Sequence, residues 1–399
     1  MENNRELMND SKNAYSYENV GNALGIEFSP SFILDYNSAL EEYFTNFYTK
    51  RGYVEHNPEP VQSRIDDSVL FIGSSINVLK PMLNSGIPKN GVFINQPCLR
   101  TQNQRIFYND NEEFEYNSYF HTSSVLAPIE SINKVTLDAV DFVKNIPEVN
   151  DSRMLIKVSS RDIDLIESIK SVGLANRMEI DTADLDYYDW TYGKEGMNGR
   201  GLTIAIKNNA GDYRDIGNII VIEEDGSPTA VEWGYGTETM LSRIYSLEQP
   251  LEASQVSSVI PYESGMKAKF ADTFCATIEM YRANVKPGKS GQSFILKDYI
   301  KGLSYLRRKL DLPMDLIKEY THKYIENIYS IDSTYISENL IDRIKIHEEK
   351  VIDLESRIIE MSKTSSISEL KNLALKSDYW RNEFGVNPKE VDMFINKLA

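Results

Sequence analysis

Cysteine is almost missing from this chain. Cys98 and Cys275 are the two present in 399 residues, and they stand too far apart to suggest a disulfide framework. Histidine is nearly as scarce: His56, His121, His322 and His347 form no pair at metal-ligand spacing, so no zinc site is indicated. Long apolar runs are absent too. Nothing approaches the roughly 18 apolar residues that a membrane span needs, and the first thirty residues are polar and acidic, without a basic start followed by an apolar stretch. These absences predict a cytoplasmic protein with no membrane segment. Positive charge is in deficit, with 43 Lys and Arg against 60 Asp and Glu for a net charge of −17. That excludes a broad basic face able to hold any nucleic acid, while leaving room for a local basic patch.

What is present suffices for a real core. Apolar residues make up 41% and charged ones 26% of the chain, and the length allows two domains. Ser31 to Arg51 carries Ile33, Tyr36, Leu40, Phe44 and Phe47 at helical spacing, with Lys50 and Arg51 in the last turn and Gly52 beyond, the pattern of an amphipathic helix with a C-terminal glycine. The runs 69–71, 91–94, 154–158, 202–206 and 218–224 then read as strands. Asp225-Gly226 before 229–233 predicts an antiparallel hairpin. From Met266 onward the period is helical, through Phe270, Phe274, Ile278 and Tyr281 and again through Ile295, Tyr299, Leu303 and Leu306. Breaks fall at 289–291 and 311–313. Ile344, Val351, Leu354, Ile358 and Met361 form a heptad-like seam that suits packing in a bundle. The fold class expected is α+β, with an antiparallel β-sheet flanked by helices over residues 1–250 and an all-α domain over 251–399.

The segment 190–201 is the most informative: Trp190 is followed by glycines at 193, 196 and 199 and then by Gly201 at a strand start. Glycines so placed let a backbone pass close to a ligand, and one aromatic can wall a small pocket. An ordinary loop would look the same.

Set beside its neighbours, this spacing resembles the alanyl-tRNA synthetases, where Trp is followed by x-x-Gly three times over before a strand. Gln96 to Thr101 resembles the second class II motif, which makes Arg100 the contact to the ATP α-phosphate and the amino-acid carboxylate. Residues 215–222 resemble the strand whose Asn lines the alanine pocket, giving Asn218 and Ile220. Residues 231–238 resemble the third motif. Glu232 then stands where an acidic residue holds the substrate ammonium, and Gly234 and Gly236 border the ATP and amino-acid sites. Residues 31–83 are similar to the first-motif helix and an Asp-x-x-Leu-Phe segment, and 285–306 and 347–350 to the opening and a later part of the tRNA-recognition domain. The family's editing and C-terminal oligomerisation regions have no counterpart.

Three departures qualify the resemblance. The motif-three arginine that meets the γ-phosphate is Thr239 here, and Arg243, one helical turn on, is the replacement or else a plain surface arginine. Ser123-Ser124-Val125-Leu126 stands for Phe-Phe-Glu-Met, which removes an acidic contact unless Glu130 or His121 supplies one. Lys289 and Asn382 occupy the positions of the Asn and Asp that read the acceptor stem. The basic residues left for tRNA are Lys289, Lys297, Lys301, Arg307 and Arg308, the last two doubling as a basic helix C-terminus.

The resemblance thus implies an ATP- and Mg2+-dependent ligase that activates a small amino acid, alanine or similar, as an aminoacyl-adenylate and transfers it to an acceptor, most readily tRNA. Arg100 and Arg243 would be catalytic. ATP would be held by Arg100, Gly234, Gly236 and Arg243, and the amino acid by Trp190, Asn218, Ile220, Glu232 and Gly234. An adenylate-forming ligase loading a carrier protein or amine, and a non-catalytic paralogue sensing amino acid or tRNA, are the other functions compatible with these residues. The sequence fixes no oligomeric state.

Overall fold

The computed structural model describes residues 29–64, 69–109, 111–146, 149, 153–183, 185–192, 196–364, 366–374, 386 and 388–396. They fall into two compact units. The first comprises the described residues up to 98 with 120–254, and the second takes 99–119 with those from 255 onward.

The first unit is an antiparallel sheet with helices on it. In chain order it runs α1 (Ile33–Lys50), β1 (Val54–Glu55), α2 (Ile76–Ser85), β2 (Val92–Leu99), β3 (Tyr119–Pro128), α3 (Ile132–Lys144), β4 (Met154–Ser159), α4 (Ile163–Ser171), β5 (Met178–Asp181), β6 (Asp189–Thr191), β7 (Met197–Lys207), β8 (Tyr213–Glu224), β9 (Ser227–Gly236) and α5 (Thr237–Ile244). The strand order is β1-β2-β3-β9-β8-β7-β4-β5, with β6 paired to β7. The long central pairs, β3 with β9, β9 with β8, β8 with β7 and β7 with β4, are antiparallel. The short pairs β1/β2 and β4/β5 are parallel.

Period-2 patterning decides the two faces. Val125 and Ala127, Leu202, Ile204 and Ile206, Ile219 and Val221, and Val231, Trp233 and Tyr235 point to one side. There they meet Tyr36, Leu40, Phe44 and Phe47 of α1 and the apolar stripes of α3, α4 and α5 in the main core. α1 falls within the predicted Ser31 to Arg51, starting two residues later and ending one earlier, and Gly52 after it takes φ +83°. Asp225 and Gly226 have φ of 50° and 78° between Glu224 and Ser227, the paired positive values that a two-residue hairpin requires.

The strand expected at 69–71 is not formed. Phe71 makes one isolated bridge to Gln62, and the chain turns at Gly73 and Ser74, whose N–H groups both reach Asn77 Oδ1 at 3.1 Å. α2 follows at once.

The second unit is helical: α6 (Met266–Arg282), α7 (Gly291–Lys309), α8 (Met314–Tyr329), α9 (Thr334–Ser362), α10 (Ile367–Ala374) and α11 (Pro388–Asn396). Segment 99–119 is held on it by Asp272, whose carboxylate accepts from Ser118 N and Oγ, each at 2.6 Å, and from Asn103 Nδ2 at 3.0 Å. Phe107 sits so close to Gly302 that a Cβ there would lie 2.3 Å from its ring. Glycine in mid-helix, ordinarily unfavourable, is what lets the aromatic ring dock. The α9 seam is buried at Ile344, Val351, Leu354 and Ile358, whereas Met361 is exposed.

Candidate active site

The sheet face opposite the main core gathers the residues of interest. Ladder register sets Leu126 of β3 and Ile220 of β8 on either side of Glu232, and Ser124 and Asn218 on either side of Gly234. Thr203 of β7 lies opposite Asn218, and Gly201 opposite Ile220. Trp190 of β6 lies opposite Gly199. One end of this face is covered by α2, whose Ile76 and Leu79 join Leu126, Tyr192, Met197, Ile220, Ile222 and Ala230 in a second apolar cluster. Glu232, Asn218, Ile220, Gly234 and Trp190, expected together from sequence, are therefore on one face of the sheet, on β6, β8 and β9 with β7 between.

Glu232 is 6% exposed. Among the described residues one donor serves its carboxylate, the Tyr192 hydroxyl at a long 3.4 Å from Oε2. Burial pushes the acid up to about 7, and the Tyr192 hydrogen bond acts in the opposite direction. Asn218, half-buried, is oriented by Thr203, which donates to its Oδ1 at 2.8 Å. With the carbonyl end so engaged, the amide end remains to donate to a ligand. The pair offers an acceptor and a donor two residues apart along adjacent strands.

Glycine at 199, 201 and 234 makes room for other groups of the chain. A Cβ on Gly201 would lie 3.0 Å from the Trp190 ring and 2.4 Å from Ile219 O. A Cβ on Gly199 would lie 2.8 Å from the Tyr192 ring, and one on Gly234 would lie 2.5 Å from Ser124 Oγ. Trp190 is half-buried and Tyr192 buried, so the two rings roof the strand behind Ile220. Gly193 lies outside the described residues. Arg200, where the family pattern has no arginine, ties β7 to its surroundings through Asp164 at 2.6 Å and Glu223 at 2.7 Å.

At the other end of β9, Glu238 in the first turn of α5 accepts from the His121 backbone N–H at 3.0 Å and lies 3.0 Å from Nδ1 of the same residue. Glu41 of α1 faces both. Burial holds its carboxyl above the usual carboxylate range, against the pull of His121 and with the push of Glu238, and its Oε1 has no hydrogen-bond partner among the described residues. Thr239 Oγ1 would lie 3.3 Å from a Cβ on Gly236. Arg243 is 4% exposed, so it is not the solvated surface arginine that position suggested, and its carbonyl accepts from Arg153 at 3.5 Å. Glu130 lies beyond the far end of β3, past the Pro128–Ala230 pair, and is separated by the strand's length from Thr122 and Gly236. His121 is thus the flanking group that shares the Gly236 end. The Ser123-Ser124 substitution has its own consequence: Ser75 bonds Ser124 at 2.6 Å and Thr122 at 2.7 Å, a buried hydroxyl cluster beneath Gly234.

Arg100 directly follows β2 and is exposed, with its N–H bonded to Ser118 O at 2.8 Å. It belongs to the second unit. In that unit the expected cations divide sharply. Lys289 and Lys297 are exposed. Lys301 is 4% exposed and bonded to Asp298 at 3.2 Å. Arg307 meets Glu348 at 2.7 Å, and Arg308 meets Glu390 at 2.9 Å. These last three are committed to ion pairs within the unit, and a phosphate would have to displace a carboxylate. Asn382 lies outside the described residues. Sequence reasoning missed Tyr192, Thr203 and the His121–Glu238 pair. The first two were findable, since Tyr192 alternates with Trp190 and Thr203 falls opposite Asn218 once the strands are paired.

Comparison with known proteins gives a partial likeness. Over 88 residues, 21% of this chain, the sequence is 33% identical to the alanine–tRNA ligase of Archaeoglobus fulgidus, and the matched stretch spans 9% of that protein. No family model matches. Among solved structures, the RNA binding domain of threonyl-tRNA synthetase from Cryptosporidium parvum covers 58% of this chain and 72% of its own at 11% identity and TM-score 0.38. The asparaginyl-tRNA synthetase of Pyrococcus horikoshii with asparaginyl-adenylate covers 56% and 68%, at 13% identity and TM-score 0.36.

Proposed function

We propose that this chain activates a small amino acid, alanine or one close to it, with ATP and passes the acyl group to an acceptor, tRNA first among them. The observation that carries the reading is Glu232, a carboxylate buried on the open sheet face with one weak donor and Asn218 beside it. A buried acid left so poorly served is a site for a cation to complete. The α-ammonium of an amino acid supplies that cation, and Ile220 beside it would meet the side chain. The 33% identity to an alanine–tRNA ligase over 88 residues points the same way.

In this reading a carboxylate oxygen of the amino acid attacks the α-phosphorus of ATP. A P–O bond forms as the bond to the bridging oxygen breaks, and pyrophosphate leaves with the electron pair. No proton needs to be removed, so the work is positioning and charge stabilisation. By the resemblance of 96–101 to the second class II motif, Arg100 would offer a planar fork to phosphate and carboxylate oxygens. Gly234 and Gly236 let the nucleotide lie close to β9, and Arg243 answers for the arginine that Thr239 lacks. Mg2+ would enter on the ATP phosphates, which suits its preference for phosphate and water oxygens. Among the described residues no group of three His, Cys, Asp or Glu side chains could cage it.

Transfer to tRNA would lean on the exposed Lys289 and Lys297. A second reading, transfer to a carrier protein or small amine, is favoured by one observation: Lys301, Arg307 and Arg308 already have carboxylate partners. Amino-acid-dependent ATP–pyrophosphate exchange tests activation. Exchange with alanine or another small amino acid is expected, and none with any of the common amino acids would end both readings. Charging of total tRNA by the same protein then separates them.

A further inference from the structure

We propose that Tyr192 is the positioning residue of the amino-acid pocket: it fixes Oε2 of Glu232, leaves Oε1 for the substrate ammonium, and is the reason residue 199 is glycine. This rests on the reading of Glu232 as the ammonium site and adds a residue to it. Three observations carry it. Tyr192 is 8% exposed, yet its hydroxyl reaches a carboxylate that has no other donor among the described residues. Its ring occupies the space a side chain at 199 would need, with Cε2 at 2.8 Å and the hydroxyl at 3.2 Å from a built Cβ, and Ile220 closes the other side at 2.8 Å. The residues around Glu232 on the flanking strands and α2 are uncharged: Leu126 and Ser124 from β3, Ile220 and Asn218 from β8, Ile76 and Leu79 from α2. Among the described residues, the phenol is the one side chain that bonds the carboxyl.

The consequence is a division of labour within one carboxyl group. A carboxyl free to rotate in an apolar pocket would meet an ammonium with either oxygen. One oxygen tethered to a packed ring presents the other in a single direction. At 3.4 Å the tether is long for O–H···O. It therefore orients the acid without neutralising it, and the strong interaction is kept for the ligand.

The test compares Tyr192→Phe, Gly199→Ala and Glu232→Gln with the unaltered chain in alanine-dependent exchange. Phenylalanine keeps the ring on Gly199 and removes only the hydroxyl. KM for alanine should rise about tenfold, the loss of a hydrogen bond to a charged group, with kcat little changed. The acidic limb of kcat/KM should move to higher pH, because the hydrogen bond that favoured the ionised form of Glu232 is gone. Gly199→Ala displaces the ring and should raise KM in the same direction, with little added effect in the Tyr192→Phe background. Should that variant fail to fold, Tyr192→Phe decides alone. Equal KM and equal pH limb for Tyr192→Phe and the unaltered chain overturn the proposal. If the unaltered chain exchanges with no amino acid, the reading of the site falls. Tyr192 is then judged on ligand-free unfolding, where Tyr192→Phe must extend the pH-dependent loss of stability to higher pH and the Glu232→Gln background must remove that difference. Coincident profiles overturn it.

Discussion

Two buried carboxylates, one in each unit, have opposite surroundings. Asp272, 2% exposed, accepts three hydrogen bonds of 2.6–3.0 Å from Ser118 and Asn103. Glu232, 6% exposed, accepts one at 3.4 Å from the described residues. Burial raises both acids above their ordinary values, so the direction of the shift does not separate them. Their donors do. A carboxylate that anchors chain segments is met by the groups it anchors, while Glu232, in the function proposed for it, would keep an oxygen for a ligand.

The largest effect that could break this comparison is expected at Asp272. Asp272→Ala strands the Ser118 N–H, the Ser118 hydroxyl and the Asn103 amide, and should cost about 3 kcal/mol or more in urea unfolding. Asp272→Asn should also destabilise, because an amide NH2 would face donors. A neutral outcome for either would show that three short hydrogen bonds do not mark an anchoring carboxylate here.

Glu232→Gln should act with the opposite sign. The folded acid, at about 7 against a reference of 4.5, holds its proton more tightly than the unfolded chain does. Its contribution is thus fully present below pH 4.5 and is lost as pH rises through 7. At pH 8 the glutamine variant should be more stable than the unaltered chain, by on the order of 3 kcal/mol at most for a shift of this size. The difference should vanish near pH 4. The same variant should bind alanine poorly. Greater stability with weaker binding is the signature of a carboxylate kept for function, and a loss of stability at pH 8 would contradict it.

How much of this was legible in sequence follows from what each feature needs. α1 and the 225–226 hairpin were readable because periodicity and turn chemistry are local. The grouping of Trp190, Asn218, Ile220, Glu232 and Gly234 came from a resemblance, and the ladder register puts them on one face. The roles of the glycines were not readable, since they depend on which rings fold over Gly199 and Gly201. Nor was the split among the cations. Arg307 and Arg308 look alike to Lys297 in sequence, but their carboxylate partners, Glu348 and Glu390, stand 41 and 82 residues away. Which of the two readings of Arg243 to drop was not readable either, since its burial is set by how α5 packs.

That split among cations carries the comparison into the second unit at a smaller scale. Lys289→Ala with Lys297→Ala should weaken tRNA binding and lower the slope of log K against log salt by about 2, one phosphate contact each. Exchange should be unchanged. Arg307→Ala should leave the salt slope alone and cost about 1 kcal/mol of stability, the value of a partly exposed ion pair. The reverse pattern would place the phosphate contacts at the paired arginines.

The smallest effect tests Glu232 most directly. Near pH 6 the empty site is mostly protonated, since its acid titrates at about 7, and an ammonium stabilises the ionised form. Binding of alanine must then release a proton to solvent. Calorimetric titration at pH 6 in two buffers of different ionisation enthalpy should give heats that differ in proportion to that enthalpy, with close to one proton released. At pH 8.5 the difference should shrink toward zero, and affinity should be higher than at pH 6 because no proton remains to be displaced. A carboxyl supplied with donors, as Asp272 is, would have no reason to exchange a proton for a ligand. Heats independent of buffer at pH 6 would mean that the ammonium is held elsewhere and that Glu232, for all its burial, belongs with Asp272.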